Sequence, residues 1–96
     1  MKKYATIKAK QQFGTIVSFK KSNIYGTVDA PETGDVTVDL NDAKLGVVSQ
    51  MIHNDSTAPS YPANFELRGG GAYVTGQNNY ISFEYFSPTK IIYTIL

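Results

Sequence analysis

The chain has 96 residues, a formal net charge of +1 and no cysteine. That length fits one domain over residues 1–96, and a chain this short buries roughly 60–65% of its unfolded surface, which favours support from a partner or from copies of itself. The missing cysteines exclude disulfides, thiolate metal sites and thiol nucleophiles, and the near-neutral charge supplies no bulk attraction to nucleic acid or to an anionic membrane.

The opening MKKYATIKAKQQF is basic, as a signal peptide begins, but no apolar run of about 7–15 residues follows it. No export signal and no transmembrane helix are expected, and residues 1–12 read as an N-terminal arm or edge strand. The lack of cysteine favours assembly inside a cell, since small secreted domains usually carry disulfides. From there the hydrophobic period is two almost everywhere. GTIVSFKK and NIYGTVD read as strands, separated by Lys20 to Asn23, and DAPETGD reads as a turn in which Pro31 fixes φ and Gly34 supplies a positive one. In VTVDL, Val36, Val38 and Leu40 point one way while Thr37 and Asp39 point the other, the pattern of a half-buried antiparallel strand.

One segment is ambiguous. In NDAKLGVVSQMI, Leu45, Val48 and Ile52 stand at helical spacing and Asn41 or Asp42 could cap, yet Gly46 and the β-branched Val47 and Val48 oppose a helix. The reading adopted is a turn over Asn41 to Leu45 and a strand over about Val47 to His53. NDSTAPSYPAN follows as a surface loop, because Pro59 and Pro62 exclude a central strand. Phe65 and Leu67 form a brief strand, Gly69 to Gly71 permit a bulge or corner, and Tyr73 to Thr75 pair with Tyr80 to Phe86 across a turn at Gly76 to Asn79. A turn at Ser87 to Lys90 leads to the last strand, where Ile91, Tyr93 and Ile95 alternate with Ile92, Thr94 and Leu96. Both its faces are largely apolar, so it belongs between two layers or at a subunit interface. The fold class is therefore all-β: a small antiparallel β-sandwich with jelly-roll or Greek-key wiring and seven to eight short strands, a small barrel being the alternative.

Candidate chemistry is sparse. HNDS, from His53 to Ser56, contains the residue types of a hydrolytic triad, but neighbours on a strand end point in different directions, and a capped turn is the plainer reading. Asp29, Glu32 and Asp35 crowd one turn without the spacing of a calcium loop. Glu66 and Glu84 could pair as in glycoside hydrolysis, although salt bridging to Arg68 or Lys90 is the simpler role for them. No catalytic residue, cofactor or metal is expected. Lys2, Lys3, Lys8, Lys10, Lys20 and Lys21, interleaved with Tyr4, Phe13, Phe19 and Tyr25, would suit a stacking platform for single-stranded nucleic acid, and FGTIVSFKKSNIYGTV resembles the opening of a cold-shock or related OB-type domain. The second aromatic of that motif is missing, because Tyr25 and Gly26 are followed by Thr27 and Val28, and lysines also protect edge strands. Nucleic acid is thus the lesser alternative. A carbohydrate-binding module is another, with Tyr61 beside Asn64, and Tyr80 beside Gln77, Asn78 and Asn79, as the aromatic and amide contacts to a host-surface glycan.

From Val47 onward, VVSQMIHNDSTAPSYPANFELRGGGAYVTGQNNYISFEYFSPTKIIYTI resembles small β-domains of bacteriophage virion proteins, those of fibres, fibre tips and head or tail decorations. The likeness lies in the order of elements: an apolar strand into HNDS, a Pro-rich loop with an aromatic, a Gly-rich turn, TGxNNYI, and a closing strand like KIIYTI. It covers about half of the chain and brings no catalytic residues with it. The resemblance implies a noncatalytic structural protein of the virion, assembled in the bacterial host cytoplasm, whose partners are other virion proteins. It would be a homo-oligomer, a trimer being one option, and no membrane is involved. For assembly, the apolar pattern nominates Ile91, Ile92, Tyr93 and Ile95, with Tyr80 and Phe86 on the neighbouring arm.

Overall fold

The structure is a computed structural model that describes residues 11–96, and among these it contains eight strands and no helix. They are β1 (Gln11–Gln12), β2 (Ile16–Ser18), β3 (Ile24–Tyr25), β4 (Thr37–Asp39), β5 (Val48–His53), β6 (Phe65–Gly70), β7 (Asn79–Ser87) and β8 (Lys90–Ile95). Six form one sheet in the order β1-β3-β5-β7-β8-β6, and β2 and β4 form a second. The expected arm over residues 1–12 lies outside the described residues except for its last two, which form β1 at one edge of the large sheet.

The expectation of a purely antiparallel fold is corrected, because the pairings are mixed. Only β5–β7 and β7–β8 are antiparallel; β1–β3, β3–β5, β2–β4 and β6–β8 run parallel. A Greek key needs four antiparallel strands, and here three are linked that way. The physical cause is the route of the chain, which alternates between sheets: β1, β3 and β5 enter the large sheet while β2 and β4 enter the small one. Each β2 or β4 passage returns the chain so that the next strand re-enters in the same direction, the task a helix performs in most parallel sheets. Alternating hydrophobicity says which face a residue occupies but not which way its neighbour runs.

Faces follow the expected period. Val36 is buried and Val38 half-buried while Thr37 and Asp39 are exposed, although Leu40 at the strand end is exposed as well. Ser49, Met51 and His53 turn one face of β5 inward, opposite Phe83, Ile81 and Asn79 of β7. Ile91 and Ile95 continue that face on β8. Val17, Phe19 and Val36 come to the same core from β2 and the segments beside the small sheet. A partly buried polar cluster ties the sheets together: the Ser18 amide donates to the Tyr25 hydroxyl at 2.9 Å, and the Ser49 hydroxyl donates to the Ser18 carbonyl at 3.0 Å.

The expected hairpin of Tyr73 to Thr75 with Tyr80 to Phe86 does not form, since residues 71–78 contain no strand. The side chain of Asn79 takes the place of a strand partner there, accepting from the Val74 amide at 2.8 Å and donating to the Val74 carbonyl at 2.9 Å. With both backbone groups satisfied, the segment has no need of a ladder. β7 pairs instead with β5 on one side and β8 on the other, and the β7–β8 turn falls at Pro88 and Thr89, within the span expected.

The glycine run does make a bulge, with a register shift between Leu67 and Gly70. Gly69 and Gly70 have φ of 61° and 71°. Open space surrounds Gly69, whereas a Cβ on Gly70 would collide with the Ile95 carbonyl oxygen. Gly69→Ala is therefore expected to cost about 1–2 kcal/mol from left-handed strain alone. Gly70→Ala adds displacement of backbone and should cost roughly 3 kcal/mol or more. Urea denaturation of the two variants measures the difference, and equal losses would contradict the close approach at Gly70.

Candidate functional site

The densest set of polar side chains lies where β5 ends and β7 begins. His53 is fully buried at the end of β5, and both ring nitrogens are occupied: Nε2 lies 2.7 Å from the Gly34 carbonyl and Nδ1 lies 2.6 Å from the Tyr73 hydroxyl. A carbonyl only accepts, so Nε2 carries a hydrogen, and in the neutral ring Nδ1 accepts from Tyr73. Burial pushes the Tyr73 phenol above its ordinary range.

Around this pair three loops are stitched together. The segment at Glu32 runs beside β5, with its amide donating to the Ile52 carbonyl and its carbonyl accepting from the Asn54 amide. Asp55 accepts from the Gly34 amide at 2.9 Å and from the Ser56 amide at 2.7 Å, and those two donors hold its carboxyl below the usual carboxylate range. The Asp55 carbonyl accepts from the Gly76 amide. Asn54 donates to the Asn78 side-chain oxygen, and Asn78 donates to the Val28 carbonyl. Buried Asn79 places Nδ2 within reach of the His53, Val74 and Gln77 carbonyls. The residues of HNDS thus hold loops together. His53 is engaged by Tyr73 and Gly34, while Asp55 and Ser56 bond to each other and to backbone, so no triad geometry arises.

The two sets of aromatic and amide groups named for a glycan, Tyr61 with Asn64 and Tyr80 with Gln77, Asn78 and Asn79, lie at different levels of the large sheet. Tyr61 stacks on Tyr93 at 4.0 Å between centroids and on Phe65 at 6.1 Å. Its hydroxyl is the one buried side-chain oxygen or nitrogen without a partner among the described residues, and burial pushes that phenol well above its ordinary range. Asn64 lies beside Phe65 and Ile91, opposite Tyr85, whereas Asn79 lies opposite His53. Six residues of β7 separate those levels, about 20 Å. Asn64 and Gln77 are exposed, while Asn78 is half-buried and Asn79 buried, both with their amides engaged in the loop network.

Of the residues nominated for assembly, Ile91 and Ile95 are buried in the chain's own core, where they form one face with Tyr85 and Ile81. Tyr93 is half-buried in the aromatic cluster with Tyr61, Phe65 and Phe83. Ile92 and Tyr80 are half-buried on the opposite face, and Phe86 is 51% exposed. The chain itself therefore covers the inward face of its last strand. Sequence patterning identified those faces but had no means to say which molecule covers them.

The other candidates also separate. Phe19 and Tyr25, expected to interleave with lysines on a stacking surface, are core residues, while Lys20 and Lys21 are exposed and Phe13 is 69% exposed. Lys2, Lys3, Tyr4, Lys8 and Lys10 lie outside the described residues. Among the described residues, no three His, Asp or Glu side chains gather as a metal would require, and Asp35 caps the Ser60 amide. Glu66 takes both of the ion pairs considered for it, with Lys90 at 2.7 Å and Arg68 at 2.8 Å. Lys90 and Arg68 together hold the Glu66 carboxyl at about 2.

A carboxylate held below its unfolded value stabilises the fold above that unfolded value, near 4.5, and the contribution fades as pH falls toward about 2. Glu66→Gln should therefore melt below the parent protein at pH 6, by a small margin because the pairs are exposed, and the gap should close between about pH 4.5 and 2. Thermal melts across that range test it, and a gap that widened on acidification would be the wrong sign.

Sequence reasoning missed Tyr73 and Gly34 as the partners of His53, and Ser18 and Ser49 as the tie between sheets. None carries a local signal, since the contacts span 19 to 31 residues. Comparison with known protein families, with curated protein sequences and with solved structures finds no match to this chain.

Proposed function

We propose that the chain is a noncatalytic structural subunit of a bacteriophage particle: a small β-sandwich that joins other virion proteins as a homo-oligomer after assembly in the bacterial cytoplasm. The observation that carries this reading is how the polar side chains are used. Both ring nitrogens of His53, both carboxylate oxygens of Asp55 and both amide atoms of Asn79 are committed to fastening loops, and Asn54 adds its amide nitrogen to the same network. A site built for turnover keeps such groups aimed at an open cleft. The sandwich assignment is supported by a core drawn from both sheets, and the virion assignment by the resemblance of residues 47–95 to phage β-domains.

Particles purified by density gradient from the native source test the role directly. Mass spectrometry of those particles is expected to find the chain at a fixed ratio to capsid or tail proteins. Its absence from clean particles, with recovery on ribosomes or free in the lysate, would overturn the assignment.

A further inference from the structure

The large sheet ends at β6, whose outer edge meets no other strand among the described residues. Its orientation is fixed by the bond from the Ile91 amide to the Asn64 carbonyl at 3.1 Å. In a parallel ladder alternate residues turn both backbone groups to the partner, so up to the bulge Asn64, Glu66 and Arg68 face β8 while Phe65 and Leu67 face outwards. The Phe65 amide is engaged by the Pro62 carbonyl. That leaves Leu67 at the centre of an edge with its N–H and C=O directed away from the sheet. Its side chain is 48% exposed.

We propose that this edge pairs with the same edge of a second copy, antiparallel and centred on Leu67, to form an isologous dimer. The choice of partner comes from charge. In this register Leu67 faces Leu67 of the second copy as a hydrogen-bonded pair, and Glu66 faces Arg68 of the second copy on one side and Arg68 faces Glu66 on the other. These flanking positions are the non-hydrogen-bonded ones, where Cα atoms come within about 4.5 Å and side-chain pairing is strongest. Shifting the centre by one residue places Glu66 against Glu66 or Arg68 against Arg68, and like charges directly opposite oppose pairing. The edge is thus complementary to itself in one register and repulsive in the adjacent ones.

Surrounding features agree with a limited, closed contact. Arg68 uses Nε for Glu66 of its own chain, which leaves two Nη donors for a second carboxylate. Its guanidinium lies 5.4 Å from the centre of the exposed Phe86 ring, which adds apolar area beside the charge pair. The bulge at Leu67 to Gly70 ends the flat edge just beyond Arg68. An isologous contact consumes the edge in one pairing and cannot propagate into a fibre. This contact is a property of the chain in solution and stands apart from any role in a particle.

Sedimentation equilibrium of the full chain tests the proposal. The parent protein is expected to dimerise at micromolar to submillimolar concentration, more weakly as salt rises. Glu66→Arg and Arg68→Glu should each weaken the dimer roughly tenfold to a hundredfold by setting like charges opposite. Mixed in equal amounts, the two variants should form a heterodimer, because each then offers the charge that the other lacks. Leu67→Pro should abolish pairing while keeping the fold, since the lost N–H faces outwards, and circular dichroism checks that it does. A parent that stays monomeric overturns the proposal. So does a dimer that survives all three substitutions, or a pair of folded charge variants that do not associate when mixed.

Discussion

Replacing Asn79 by alanine is expected to lower the thermal midpoint by roughly 12–24 °C. Its amide serves four backbone groups, with the Val74 amide donating to Oδ1 and the His53, Val74 and Gln77 carbonyls sharing Nδ2. Losing it strands polar atoms in a site that is 5% exposed, and with partial relief from water at the loop surface the cost is about 3 kcal/mol. In a domain of this size each kcal/mol moves the midpoint by about 4–8 °C. Asn79→Asp has the same shape and should be no better, because a carboxylate cannot donate and would face three carbonyl oxygens. Scanning calorimetry of both variants reads the effect. A near-native midpoint for the aspartate would show that shape, and not donation, holds residues 71–78.

Phe83→Ala should be at least as severe, for a different reason. Phe83 is fully buried and meets the rings of Phe65 at 5.9 Å, Tyr93 at 6.3 Å and Tyr61 at 6.4 Å. Removing it opens a cavity under β8 and should cost about 3–5 kcal/mol. Small domains have about 5 kcal/mol in total at the low end of the usual range, so part of the population should be unfolded at 25 °C. Near-ultraviolet circular dichroism should weaken with it, since the rings around the cavity lose their fixed packing. Phe83→Leu retains most of the volume and is expected to cost less than half as much. Equal losses for the two would mean that ring geometry, and not filled volume, sets the stability of this core.

Legibility in the sequence followed the range over which each feature acts. The strand at Val48–His53, the half-buried β4 and the turn at Pro88 depend on neighbours within a few residues, and pattern and turn chemistry located them. Direction of pairing depends on where the chain travels between strands, and alternation of Val36, Thr37 and Val38 is the same in a parallel ladder as in an antiparallel one. The missing hairpin at Tyr73 to Thr75 has a similar origin: a β-favouring stretch lost its ladder to one asparagine side chain five residues on. For the polar network, the sequence named HNDS and the adjacent asparagines as turn formers, and they do fasten turns. It could not reveal that His53 reaches back to Gly34 or that Tyr61 buries its hydroxyl, since those depend on where distant segments meet.

The alternation of the chain between two sheets also sets the order in which the protein can be built. β3 lies between β1 and β5, and β5 takes its long partner from β7, so a growing chain that has reached Tyr25 has two of its ladder's residues in place and little to hold them. The small sheet gains nothing until β4 closes on β2, and the tie from Ser18 waits for Ser49. In the large sheet β1 is completed by β3 and β3 by β5, each made later, across loops whose closure must precede any reward. On the ribosome the short ladders of the first half can therefore form early, but the core that holds them waits for β5, β7 and β8 of the second.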